Sequence, residues 1–174
     1  LEDGYRDIDF RLDRLEQEIN VENNHVNQLI EVVERRYKVL YAEGEPRWEY
    51  KFLRRAFDDD PVVNLISLLW VSDNKFFRQG IQDEVQLDSG FPLTKDELYD
   101  YDAILIGSVE APRFTSEQQQ MIHDFVSERG GSLLMIAGRK GLAAGGWDHS
   151  IVGNSLPVTL DSETEIFVRD KARV

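Results

Sequence analysis

Glu43, Glu45, Arg47 and Trp48 crowd two carboxylates, a guanidinium and a large aromatic into one short stretch, and Tyr50 follows two positions after Trp48. Two further charged residues, Glu110 and Arg139, each sit just beyond another apolar run. Opposite charges at this density suit a bidentate ion pair of Arg47 with Glu43 or Glu110. They equally suit recognition of a polar ligand. If Glu43 and Glu110 lie close together, like-charge repulsion raises one pKa and makes acid–base chemistry available. A structural role competes with these: Trp48 plugging the seam between sheet and helix while Arg47 neutralises the crowded acids.

Other chemistries find less support. The chain has no cysteine, which excludes disulfides, thiolate catalysis and cysteine-based zinc sites. His25, His123 and His149 make no HxH, HxxxH or HExxH pair, so no metal site is expected. No GxSxG elbow exists for a serine nucleophile. Gly138, Gly141, Gly145 and Gly146 accompany Arg139 and Lys140, but the spacing is neither a Walker A loop nor GxGxxG, and no cofactor is expected. Asp58, Asp59 and Asp60 fall at a helix end before Pro61, where the helix dipole disfavours anions, and read as a solvated turn.

The elements that must position these residues follow from periodicity. From residue 37 onward, strands and helices alternate. Lys38 to Ala42 is a first strand, and Pro46 suits the first turn of a helix whose apolar face is Trp48, Phe52, Leu53, Ala56 and Phe57. Val62 to Val71 is a strand apolar enough to be covered on both faces. Residues 72–93 read as irregular. Thr94 and Thr115 each open a capping box, the first on a short helix through Tyr99, the second on a helix burying Met121, Ile122, Phe125 and Val126. Ala103 to Gly107 and Ser132 to Ala137 are the third and fourth strands, and Leu156 to Leu160 and Glu165 to Val168 are candidate late strands. The alternation predicts a flavodoxin-like, doubly wound parallel sheet with its ligand crevice between the first and third strands. Glu43, Gly44, Glu45, Ser108, Val109 and Glu110 would form the rim of that crevice.

Residues 1–35 differ from the rest. Ile8, Phe10 and Leu12 alternate with Asp7, Asp9, Arg11 and Asp13, as in a half-buried strand. Ile19 and Val21, then Ile30 and Val32, flank a turn at Glu22, Asn23 and Asn24. A β-strand arm over residues 1–35 preceding an α/β domain over residues 36–174 is therefore expected. A helical spacing at Leu12, Leu15 and Ile19 competes with the strand reading.

At 174 residues, with a net charge of −13, the chain is an acidic globular protein. Its field repels nucleic acid and anionic membrane surfaces, and no apolar run is long enough to insert into a bilayer. The start at Leu1 rather than Met suggests a piece of a longer polypeptide.

The stretch VLYAEGEPRWEYKFL from Val39 to Leu53 resembles the opening of a class I glutamine amidotransferase-like domain, of the kind found in bacterial membrane proteins with von Willebrand factor A domains. The resemblance continues through Asp102 to Gly107, Thr115 to Phe125, Gly130 to Gly138 and Leu156 to Leu160, so it covers roughly residues 37–160. Glu18 to Val33 looks like the closing strands of an immunoglobulin-like module. The family's nucleophilic cysteine would stand after the strand ending at Ala137, and here Ala137 itself fills that place, with no later His-x-Glu pair. The resemblance thus implies the fold and a membrane-tethered context without the covalent glutaminase reaction. The expectation is a non-catalytic binding or scaffolding module of a bacterial envelope protein, its partners being other domains of the same polypeptide or other envelope proteins. Glu43, Glu45, Arg47, Trp48, Glu110 and Arg139 are the candidate binding residues. The alternative is a small-molecule sensor or hydrolase using the crevice carboxylates.

Overall fold

The computed structural model describes residues 4–33, 35–72 and 75–161. It divides into two compact units, Leu1–Arg35 and Arg36–Val174.

The first unit is a two-stranded antiparallel hairpin of β1 (Gly4–Arg11) and β2 (His25–Val32). Register pairs Phe10 with Val26, Ile8 with Gln28 and Arg6 with Ile30, so Ile8, Phe10, Val26 and Ile30 share one face while Tyr5 and Leu29 fall on the other. The opposite face carries Asp7, Asp9, His25 and Glu31, with Asp9 held by Arg11 and His25. The strand expected at Ile19 and Val21 is absent. Residues 12–21 connect without a ladder, and Glu22–Asn24 is a 3-10 turn leading into β2. Only the outer two of the three apolar runs find a partner in register.

In the second unit five strands form one sheet in the order β5-β4-β3-β6-β7. β3 (Tyr37–Glu43), β4 (Val63–Ser72), β6 (Ala103–Ile106) and β7 (Ser132–Met135) run parallel, and β5 (Lys75–Gln79) is antiparallel to β4. The sheet is therefore mixed rather than wholly parallel, and β5 lies inside the segment the sequence suggests is irregular. Its alternation of half-buried Phe76 and exposed Phe77 suits an edge strand with one wet face. Leu156 to Leu160 forms no strand, and Glu165 to Val168 lies outside the described residues.

Alternation along β3, β4 and β6 divides the interior into two cores. Leu40, Ala42, Ile66, Leu68, Ile104 and Ile106 face α2 (Lys95–Tyr99), α3 (Ser116–Ser127) and buried Trp147. Tyr41, Leu65, Leu69 and Leu105 face α1 (Trp48–Ala56). Thr115 and Gln118 close the full reciprocal capping box that starts α3. Helices on opposite faces, joined to strands that step outward from β3 and from β6, put the topological switch point between those two strands.

The helix α1 departs from its expected face. It starts at Trp48, with Pro46 ahead of the Arg47 cap rather than inside the first turn. Tyr50, Leu53 and Phe57 pack on the sheet, whereas Trp48, Phe52 and Ala56 are exposed. Trp48 plugs no seam. Tyr50 takes that place because its hydroxyl reaches Ser67 at 3.0 Å and Gln79 at 2.7 Å, which lets an amphipathic ring be buried with its polar tip satisfied.

Candidate functional site

The carboxyl end of β3 brings Glu43 to the switch point, and its side chain is fully buried. One carboxylate oxygen accepts the Tyr41 hydroxyl at 2.6 Å and Arg47 Nε at 2.9 Å. The other accepts three backbone N–H groups, from Gly44 at 3.0 Å, Glu45 at 3.2 Å and Ser108 at 2.8 Å. A buried carboxylate is tolerated only when so paired. Here one side chain ties β3, the start of α1 and the loop after β6 together.

Arg47 extends the tie. Its Nη1 donates to the Ala137 carbonyl at 3.2 Å and Nη2 to that of Ile136 at 3.4 Å, so the loop after β7 hangs on the same centre. Burial works against the Arg47 charge, but the Glu43 hydrogen bond and charge prevail and hold its pKa above the ordinary value. Burial, reinforced by the bond to Glu43 and its charge, raises the Tyr41 phenol well above its usual range, so it remains a donor at any physiological pH.

Close approach of these loops depends on two glycines. A Cβ on Gly107 would strike the Glu43 carboxylate, and one on Gly138 would strike the Ser108 side chain. Neither neighbour has room to retreat, since Glu43 is anchored at both oxygens and the Ser108 N–H is one of its anchors.

Above this centre lies an open crevice of about 460 Å³ lined by Gly44, Glu45, Ser108, Val109, Glu110 and Arg113, among others. A recess of about 200 Å³ adjoins it, shared with Glu45, Ser108 and Glu110 and closed by Gly138, Arg139 and Lys140. Glu110 pairs with Lys140 at 2.5 Å rather than with Arg47. Among the described residues, the Glu45 carboxylate, the Ser108 hydroxyl and the Arg139 guanidinium make no hydrogen bond or ion pair. The crevice therefore offers one anion, one hydroxyl and one cation to a visitor.

Of the six candidates from sequence, Glu45, Glu110 and Arg139 line the crevice, and Glu43 and Arg47 form the buried tie beneath it. Trp48 lines neither recess and points outward on α1. The Tyr41 hydroxyl is a partner that sequence reading missed, although the period of a strand already puts residues 41 and 43 on one face.

Ala137 is exposed and follows β7, as the elbow position would. Its backbone does not have the strained conformation of a nucleophile elbow, since Leu87 is the sole non-glycine residue with positive φ among those described. Among the described residues no α-helix follows β7; the next regular turn is the 3-10 segment Val152–Ser155. Its Ser155 hydroxyl lies 2.8 Å from His123 Nδ1 on α3, a pair that fastens helix to turn away from the crevice. No group of three or more metal-ligating side chains gathers among the described residues. No helix among them is long and apolar enough to cross a membrane.

Comparison of the chain with protein-family models, with curated proteins and with solved structures finds no match.

Proposed function

We propose that this chain is a non-catalytic, amidotransferase-like binding module, which presents its switch-point crevice to a polar group of a ligand or partner. The observation that carries this reading is the saturation of Glu43. Both its oxygens are occupied by five donors, so the best-placed carboxylate has no lone pair directed at a substrate. Glu110, the other carboxylate a hydrolase would need, is engaged by Lys140. Ala137 supplies no nucleophile at the elbow position, and Ser108, the nearest hydroxyl, has no histidine among the residues lining the crevice. Glu45, Ser108 and Arg139 are left to make contacts rather than to make bonds.

The setting that goes with this reading is a larger bacterial envelope protein, the module binding neighbouring domains of the same polypeptide or other envelope proteins. The resemblance of residues 37–160 is its support.

The purified chain is incubated with glutamine and ammonia release is followed over hours at high protein concentration. No release above the buffer rate is expected. Release that disappears in Ser108→Ala or Glu45→Gln would overturn the reading, because it would make the crevice a hydrolytic site.

A further inference from the structure

Helix α1 has a second face that the crevice does not use. At 100° per residue, Lys51, Arg55, Trp48, Phe52 and Ala56 occupy one continuous arc, opposite the Leu53 and Tyr50 side that meets the sheet. Trp48 is 68% exposed and Phe52 58%, and their rings stack with centroids 6.0 Å apart. Lys51 Nζ lies 5.2 Å from the centre of the Trp48 ring. Arg55 is exposed on the same arc, and among the described residues neither Lys51 nor Arg55 has an ion-pair partner. In a chain with 33 acidic and 20 basic residues, two cations without an ion-pair partner beside two exposed aromatics give this arc a charge opposite to that of the whole chain.

We propose that this outer face of α1 is a docking surface for an acidic protein segment with apolar anchors. The anchors seat on the Trp48–Phe52 stack, and carboxylates beside them meet Lys51 and Arg55. Tryptophan and arginine are the residue types most enriched at the energetic centres of interfaces. The aromatic pair is already stacked, so little side-chain freedom remains to be lost on binding.

Charge selects the occupant. The cationic spot is two residues wide, and along the chain exposed Glu45 and Glu49 precede it and exposed Asp58 and Asp59 follow it. A continuous polyanion, whether nucleic acid or an anionic bilayer, would press its phosphates on those carboxylates as well as on the cations. A short segment with one or two carboxylates beside its apolar anchors meets only the cations. A second copy of the chain would bring its own net charge of −13 with it. Trp48, Lys51, Phe52 and Arg55 line neither crevice recess, so this surface and the crevice can fail independently.

The test selects peptides from a random 16-residue display library on the purified chain, discards those that also bind a Trp48→Ala chain, and measures the survivors by fluorescence anisotropy. The survivors are expected to carry aromatic or leucine anchors flanked by Asp or Glu. They should bind at least tenfold more weakly to Trp48→Ala and to Phe52→Ala. The double variant Lys51→Glu with Arg55→Glu should lose them too and accept copies whose acids are replaced by lysine. Leu134→Ala, which trims a side chain equally exposed on β7, should leave binding unchanged. All four side chains are solvent-facing, and unchanged thermal melts will show that the variants fold. Four results would each overturn the proposal: no peptide dependent on Trp48, survivors that are neutral or basic, Trp48-dependent binding to phosphatidylglycerol vesicles without any acidic peptide, or Trp48-dependent self-association that accounts for the surface.

Discussion

Replacing Glu43 by glutamine keeps the shape of the buried side chain and alters only what its two ends can accept. With the amide oxygen toward the backbone, the N–H groups of Gly44, Glu45 and Ser108 keep their acceptor. The amide NH2 then faces Arg47 Nε and the Tyr41 hydroxyl, both of which donate in the native protein. Tyr41 can turn its proton away and accept, but a guanidinium accepts nothing. Flipping the amide restores Arg47 and sets an NH2 against three backbone donors, which is worse. Either way a largely buried cation or a cluster of N–H groups loses its partner. Breaking a buried ion pair by removing one member costs about 3–5 kcal/mol, and for a chain of this size that lowers Tm by roughly 6–20 °C. Urea unfolding of the wild type, Glu43→Gln, Arg47→Met and the double variant closes a double-mutant cycle. Glu43→Gln with Arg47→Met should be more stable than the sum of the single losses predicts, because the amide no longer confronts a charge. A loss below about 1 kcal/mol in Glu43→Gln, or strict additivity in the double variant, would refute the account of Glu43 as the centre of the tie.

Gly138→Ala should destabilise by about 1–3 kcal/mol through the collision of its Cβ with Ser108, and Ser108→Gly should relieve only the side-chain part of it because the Ser108 Cα stays 2.7 Å away, both read by denaturant unfolding. A second ion cluster contributes to the pH dependence of stability. Lys95 bonds Asp124 at 2.6 Å and Glu128 at 3.2 Å, and these bonds raise the Lys95 pKa. The Lys95 bond, then that of Gln120, lowers the pKa of Asp124 below its ordinary 3.8. A depressed folded-state pKa stabilises above the unfolded value and is lost as pH falls through the folded one. Melts between pH 5 and pH 2 should therefore show a steeper fall for the wild type than for Asp124→Asn. Parallel curves would remove Asp124 from the acid response.

The elements were legible wherever their signals are local. Thr115 and Gln118 announce the start of α3 within four residues, and period-two alternation in β3, β4 and β6 separates the two cores without knowledge of what covers them. Order in the sheet followed because strands alternating with helices leave few right-handed arrangements, and the switch point follows from order. The antiparallel edge strand β5 escaped because its five residues, beginning KFF, mix charge with aromatics as loops do. At residues 19–21 apolar residues alternate as in a strand, yet pairing register, a non-local property, goes to β1 and β2 alone.

Glu43 and Trp48 show where local reading stops. By residue type the carboxylate belongs to the chemistry and the indole to the core, and the structure reverses both. Glu43 goes inside because five donors converge on it, one of them from Ser108, 65 positions along the chain. Without it the buried Tyr41 hydroxyl and four part-buried N–H groups would lose their acceptor together, so the acid is less costly buried than absent. Trp48 stays outside because it opens α1 on the arc opposite Tyr50, whose hydroxyl is paired with Ser67 on β4 and donates to Gln79 on β5. A helical wheel places Trp48, Phe52, Leu53 and Phe57 within one apolar half, and it contains nothing that says which part of that half meets the sheet. The choice is made by Ser67 and Gln79, polar atoms on strands that the helix sequence cannot see. What this exchange leaves on the surface is an aromatic pair that packs on itself and not on the sheet, and that is the physical reason to look there for a partner.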